Sequence, residues 1–385
     1  VIVDDIALRE LVPKVLSVLV RRGADFATAE DAVQEALIRA LSTWADDAPT
    51  DPEGWLITVS WRAFIDMARS DSARRNRETR FGGEPPIADV SGADDTLHLY
   101  FLCAHPDLTP SSAVALTLRA VGGLTTRQIA QAYLVPESTM AQRISRAKGT
   151  VGRAGLDRPG EVRTVMRVLY LVFNEGYSGD IDLAAEAIRL ARQLALLVDD
   201  PEVDGLLALM LLHHARRRTR TRPDGGIVPL AEQDRSRWDT ELIAEGVAIV
   251  QAALARDRLG EYQAQAAIAA LHADAPRFED TDWAQIAEWY DELLRFADTP
   301  IIRLNRAVAV GEADGAPAGL AALADVDESI PRRDAVAAYL HERNGDLEVA
   351  ARLYASAGRN APNLAERDYQ TRQAARVNQL LRQQR

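Results

Sequence analysis

Proline 136 divides what would otherwise be one long amphipathic helix, LTTRQIAQAYLVPESTMAQRISRAK (Leu124–Lys148), into two. Proline cannot continue a helix, and it drives its predecessor, Val135, toward an extended conformation. Ile129, Ala130 and Tyr133 give the first helix an apolar face. The second has Ser138 and Thr139 as cap-like hydroxyls and Met140, Ile144 and Ala147 at inward-facing spacing. Its other face carries Gln142, Arg143, Arg146 and Lys148, and Arg127 sits on the first helix. This is a helix-turn-helix layout, in which polar side chains of the second helix reach base edges and cations reach phosphates. An ordinary helical hairpin with a solvated basic face shares the pattern, and both readings stay open for this segment taken alone.

A chain of 385 residues has room for two or three domains, each with its own core. Its formal net charge of −12 excludes a basic coat over the whole surface, so any DNA contact is confined to local patches. Two stretches supply them. One holds Arg62, Arg69, Arg74, Arg75, Arg77 and Arg80; the other holds Arg119, Arg127, Arg143, Arg146, Lys148 and Arg153. The single cysteine, Cys103, excludes an internal disulfide and fits a reducing compartment. No apolar run has the length to span a bilayer, and acids stand where a signal peptide carries basic residues, so the expected location is cytoplasmic with no membrane partner.

The periodicity is helical throughout, and the expected fold class is all-α. Residues 1–80 read as helices, the first an amphipathic stretch Ile6–Arg21 interrupted near its start by Pro13. The second opens at Thr28 and places Ala32, Val33, Ala36, Leu37, Ala40 and Leu41 inward. Asp46–Pro52 is a loop, and WLITVSWRAFIDMAR is a helix with Trp55, Val59, Trp61, Phe64 and Ile65 on its apolar side. Glycine, proline and paired acids make residues 81–95 a linker. Residues 96–154 form the domain that holds the helix-turn-helix, and residues 158–385 form a third, C-terminal region.

The acidic helix DAVQEALIRAL, the proline-rich loop, the aromatic and arginine helix GWLITVSWRAFIDMAR, and then LTPSSAVALTLRAVGGLTTRQIAQAYLVPESTMAQRISRAK together resemble a bacterial sigma factor of the extracytoplasmic-function type. The resemblance implies a region-two domain (1–80) that binds polymerase and melts the minus-ten element. It also implies a region-four domain (96–154) that binds the minus-thirty-five element. The implied partners are core RNA polymerase and promoter DNA, with no enzymatic activity and no cofactor. Melting needs a place for an unstacked base, and Trp44, the Asp46–Pro52 loop, Trp55 and Trp61 lie where the family keeps its base-capturing loop. Core packing is the competing reading for these aromatics, and it is favoured for Trp61 and Phe64. Arg62, Arg69, Arg74 and Arg75 suit a phosphate backbone, or else a solvated basic helix end. Asp31, Gln34, Glu35 and Arg39 project away from the expected core. By resemblance they are the polymerase-contacting surface; by composition they are a charged exterior. The alternative function is a helical-repeat DNA-binding regulator that acts without polymerase.

The C-terminal region is helical by pattern. Near its end AAYLHERNGDLEVAARLYASAG, and one repeat earlier LNRAVAVGEADGAPAGLAALADV, have a helix–glycine–helix plan with small alanines, resembling the sigma-factor subgroup with a tetratricopeptide-like extension. Its polar residues Asn174, Glu175, His213, His214, Asp224, Asp234, Arg235, Trp238 and Asn305 suggest a metal or acid/base site. Adjacent histidines diverge by about 100° on a helix, however, and no HExxH, cysteine pair or nucleophile elbow occurs. No metal or catalytic site is therefore expected. The constellation reads as a buried polar network that pins the Asp224–Trp238 loop, or as a pocket for a small ligand or regulatory protein. Only a short segment, Arg153–Gly160, joins the helix-turn-helix to this region, so direct contact between the extension and a sigma domain is expected.

Overall fold

The computed structural model describes residues 5–44, 49–75, 92–133, 135–154, 161–175, 177–178, 181–222 and 225–384. The chain divides into two compact units, Val1–Asp199 and Asp200–Arg385. As expected, both are helical; the described strands are the two-residue β1 (Tyr177–Ser178) and β2 (Ile181–Asp182), paired antiparallel.

The first unit opens with α1 (Asp5–Arg21), α2 (Phe26–Thr43) and α3 (Pro52–Arg75), which pack on one another. Pro13 lies inside α1 without interrupting it, contrary to the sequence expectation. It lacks a donor, and its own carbonyl accepts a bond of 2.6 Å from the Ser17 hydroxyl. The N-cap of α2 is Asp25 rather than Thr28: its carboxylate accepts from the Thr28 amide at 3.0 Å. Val15, Leu16, Leu19, Val33, Leu56 and Phe64 form the local core. Leu41, expected inward, is 54% exposed, and the buried stripe of α2 instead takes in Glu30 and Gln34.

Helix α4 (Gly92–Cys103) starts inside the segment expected as linker, so Asp94 and Asp95 are helical. Then follow α5 (Pro110–Ala120), α6 (Thr126–Ala132) and α7 (Glu137–Ala154). Thr125 and Gln128 make a reciprocal capping box that fixes the start of α6. Ser138 and Thr139 lie within α7 rather than before it. Met140, Ile144 and Ala147 are buried as the spacing predicts, against a core that includes Leu116, Leu118, Leu124 and Ile129.

Two helices of the C-terminal region, α8 (Val162–Glu175) and α9 (Leu183–Leu197), belong to this same unit. Helix α8 packs on α4 and α5, and α9 packs on α4. The Tyr100 side chain is fully buried, and its hydroxyl donates to the Leu190 carbonyl of α9 at 3.0 Å. A Cβ at Gly122 would lie 3.2 Å from a Glu186 carboxylate oxygen, so the glycine admits the close approach of α9. Two helices of the extension thus touch the helix-turn-helix domain, and the compact unit that holds them runs on to Asp199.

The second unit holds α10 (Pro201–Ala215), α11 (Thr240–Leu254), α12 (Glu261–Asp274), α13 (Trp283–Leu294), α14 (Pro300–Ala313), α15 (Ala316–Leu323), α16 (Arg333–Arg343), α17 (Leu347–Arg359) and α18 (Leu364–Gln383). Each helix packs on the next. The predicted helix–glycine–helix segments form real hairpins. Gly345 turns α16 into α17 at φ +84°, and Gly311 and Gly319 let α14 and α15 touch backbone to backbone. Tyr354 is buried beneath the last hairpin, its hydroxyl donating to Glu342 at 3.0 Å.

Candidate nucleic-acid and polymerase interface

Burial of Met140, Ile144 and Ala147 turns the opposite face of α7 outward. Ser138, Thr139, Gln142 and Arg146 are exposed, Arg143 is half-buried, and Arg127 is exposed on α6. A groove of about 420 Å³ runs between this face and the start of α5, bringing Gln142, Arg143 and Arg146 together with Thr109 and Ser112. Thr109 caps α5, accepting from the Ser112 amide at 3.3 Å. Two guanidiniums facing a helix N-terminus form an electropositive groove suited to a phosphate backbone, although Asp107 also lines it. Beside the turn, burial and the Glu175 carboxylate of α8 both push the Tyr133 phenol upward. Glu175 therefore lies near the helix-turn-helix turn and not in the Trp238 network; it and Asn174 are exposed.

Lys148 is a correction. Its side chain is 9% exposed and forms ion pairs with Glu30 and with Asp31, the latter at 2.6 Å. Arg119 is likewise drawn in, 2.7 Å from Glu30. Both cations neutralise a carboxylate on α2 that is fully buried, so neither lies on the open basic surface. The reading of α2 changes to match: Gln34 is buried and Asp31 is held by Lys148, whereas Glu35 is half-buried, Arg39 is exposed, and the two are paired with each other. What the sequence reading missed on this helix is an apolar pair, Ile38 (66% exposed) and Leu41 (54% exposed), one turn apart beside Arg39. Only a helical wheel phased on Phe26, Val33 and Ala40 separates these two from the core stripe.

Trp44 is 3% exposed and meets Trp55 edge to face at 5.1 Å. Its place is in the core, so it offers no platform for a flipped base, while Trp55 remains half-buried. Of the loop Asp46–Pro52, residues 46–48 lie outside the described residues; Asp51 caps α3 through the Gly54 amide at 2.9 Å. Arg62 and Arg69 are exposed along α3, and the side chains of Arg74 and Arg75 lie outside the described residues.

The polar residues of the second unit form a network around one ring. Trp238 is buried, donates from Nε1 to the Thr219 hydroxyl at 2.9 Å, and carries Arg235 and Arg216 over its face at 4.8 and 5.7 Å. Arg235 also donates to the carbonyls of His272 and Ala275, closing the C-terminus of α12. Burial, followed by the charges of Arg216, Arg220 and His272, pushes the His213 imidazole down to about 3; burial, Arg216 and Arg235 bring His272 to about 4. His214 is half-buried. Asp234 binds the Ser236 amide and hydroxyl, Asp224 lies outside the described residues, and Asn305 is hydrogen-bonded to the Tyr290 hydroxyl. A cavity of about 660 Å³ next to this network has Arg235 and Trp238 at one end and Ile243 and Val247 along its side. Among the described residues no cluster of histidine, cysteine or carboxylate side chains has metal-site geometry, and no helix is long and apolar enough to cross a membrane.

Family models match the chain in three places: Sigma-70 region 2 over residues 7–74, Sigma-70, region 4 over residues 98–151, and a family of unknown function, DUF6596, over residues 161–254. An uncharacterized protein of Rhizobium meliloti is 42% identical over 357 residues, covering 85% of this chain and 84% of its own. The chain belongs to that protein's family. Its N-terminal part consists of the two sigma-70 domains. The probable ECF RNA polymerase sigma factor SigI of Mycobacterium tuberculosis is 32% identical over 44% of this chain and 61% of its own length. The ECF RNA polymerase sigma factor SigJ of the same species is 33% identical over 35% and 46% respectively. No solved structure matches the chain.

Proposed function

We propose that this protein is a promoter-specific sigma factor that recruits core RNA polymerase, with region four reading the minus-thirty-five element through α7 and region two opening the minus-ten element. The observation that carries the reading is the groove at the α5 start, where Gln142, Arg143 and Arg146 stand exposed or half-exposed on a helix whose apolar face is buried. Gln142 and the arginines have the donor sets that read adenine and guanine edges, and Arg127 with the α5 N-terminus suits the flanking phosphates. The polymerase-facing surface is the C-terminal half of α2, where Ile38 and Leu41 supply exposed apolar area beside the Glu35–Arg39 pair. Region-two DNA contacts fall to Arg62 and Arg69, with Trp55 as the remaining aromatic near the loop. The extension modulates this activity as a tetratricopeptide-like array, a reading supported by the α14–α15 and α16–α17 hairpins.

Selection of DNA from a random library by the chain assembled with core polymerase tests the reading. A bipartite motif is expected, and Arg143→Ala should relax the upstream half at one or two positions. Recovery of an unpartitioned site, or equal enrichment without polymerase, would overturn it in favour of a polymerase-independent regulator.

A further inference from the structure

The Glu30 carboxylate is fully buried between two cations from a different domain: Arg119 of α5 at 2.7 Å, and Lys148 of α7. Lys148 reaches on to Asp31 at 2.6 Å, and Asp31 is 58% exposed. These four charges lie where region two meets region four inside one compact unit, with α7 packed on α2 and α1 packed on α4. We propose that the cluster is an intramolecular latch that holds the free chain shut, and that it must open when the chain engages polymerase and promoter.

The argument for opening rests on the sigma-factor reading. Elements named for positions ten and thirty-five are about 25 base pairs apart, or about 85 Å along the duplex at about 3.4 Å per pair. A compact body of 199 residues has a radius of gyration of about 16 Å, so region two and region four cannot reach both elements while they remain packed together.

The chemistry suits a reversible closure. A buried ion pair yields little net stability over its separated, hydrated partners, yet it tolerates almost no misplacement. Opening returns Glu30, Arg119 and Lys148 to water together and leaves none of them stranded in an apolar site. Removing only one partner is different, because it leaves the others buried without compensation. The latch also accounts for a basic residue on the recognition helix that faces protein: Lys148 serves the closed form, while Gln142, Arg143 and Arg146 stay outward.

The sequence makes the test clean, since lysine occurs only at positions 14 and 148. A carbodiimide activates exposed carboxylates, and a lysine amine already in contact with one then forms an amide. Treatment of the full free chain should give an Asp31–Lys148 isopeptide identifiable by mass spectrometry, absent from Lys148→Arg. Glu30→Gln should lower its yield about tenfold or more with helical circular dichroism retained, because the buried cations lose their counter-charge. Saturating core polymerase with promoter DNA should lower it similarly in the unaltered chain. Absence of the crosslink from the free chain, or a yield unchanged by both Glu30→Gln and polymerase, would overturn the latch. Should Glu30→Gln fail to fold, the comparison with and without polymerase decides. Failure of the chain to bind polymerase would count against the sigma-factor reading, while the free-chain crosslink would still decide whether the closed form exists.

Discussion

Helices α8 and α9 complete the first compact unit, and this bears on where the protein can be cut. A chain ending at residue 157 loses both helices and uncovers the faces of α4 and α5 against which they pack. Tyr100 alone sets the scale of the cost. The part of its ring that α8 and α9 cover is exposed, worth up to about 2–3 kcal/mol for a large side chain. The bond from its hydroxyl to the Leu190 carbonyl at 3.0 Å is also lost, worth about 1 kcal/mol. The burial of Val165, Leu169 and Val172 on α8 and of Leu190 and Leu194 on α9 disappears as well, so the true figure is higher. A loss of about 3–4 kcal/mol in a body of this size lowers the melting temperature by about 6–16 °C. Residues 1–199 should therefore melt at least that far above residues 1–157 when both are followed by circular dichroism. Equal melting temperatures would refute the argument and leave α8 and α9 outside the cooperative unit.

Other outcomes follow from the same geometry. Arg143→Ala and Arg146→Ala should each weaken promoter binding by about 1–3 kcal/mol in a mobility-shift titration of the holoenzyme, whereas unchanged binding for both would remove α7 from the major groove. Ile38→Asp with Leu41→Asp should reduce co-elution with core polymerase while leaving the melting temperature within a few degrees, since both side chains are already exposed; normal co-elution would place the polymerase surface elsewhere. His213 and His272 have folded values near 3 and 4, below the ordinary 6.5, so the unfolded chain takes up more protons below that pH. The second unit should accordingly lose about 1.4 kcal/mol per histidine as pH falls to about 5.5, read as lost hydrogen-exchange protection in α10 and α12; a flat response from pH 7.5 to 5.5 contradicts their neutral burial. Gly319→Ala places a Cβ 2.7 Å from the Gly311 Cα and should destabilise the α14–α15 hairpin, whereas Gly152→Ala meets nothing within 4 Å and should leave α7 unharmed or firmer in urea titrations.

The helix-turn-helix was legible because its determinants are local: Pro136 breaks the run, and Met140, Ile144 and Ala147 keep one helical face. The same holds for the α14–α15 and α16–α17 hairpins, where glycine and alanine spacing reports close helix approach. Lys148 was misread for a tertiary reason. A cation on a recognition helix looks the same in sequence whether it faces phosphate or a buried glutamate 118 residues away along the chain, and nothing near Lys148 names Glu30. Helix α2 misled in a related way. It is covered on two sides, by its own domain and by α7, so Glu30 and Gln34 are buried although polar, while Ile38 and Leu41 are left outside. The packing of α8 and α9 on the helix-turn-helix domain was hidden because residues 153–160 have linker composition, whereas the complementarity between α4 and α9 lies in shape and in one tyrosine hydroxyl. The arginine–tryptophan network was partly visible: Arg235 and Trp238 were singled out, but Arg216, Thr219 and His272 join them only through the fold.

Run-off transcription tests the central claim most directly. Core RNA polymerase with the full chain, on templates that carry the selected bipartite motif, should produce transcripts with one discrete start a few bases downstream of the minus-ten half. These should vanish when the chain is omitted and fall sharply with Arg143→Ala. Transcripts of the same start and yield without the chain, or none with it on any template that it binds together with polymerase, would contradict the account.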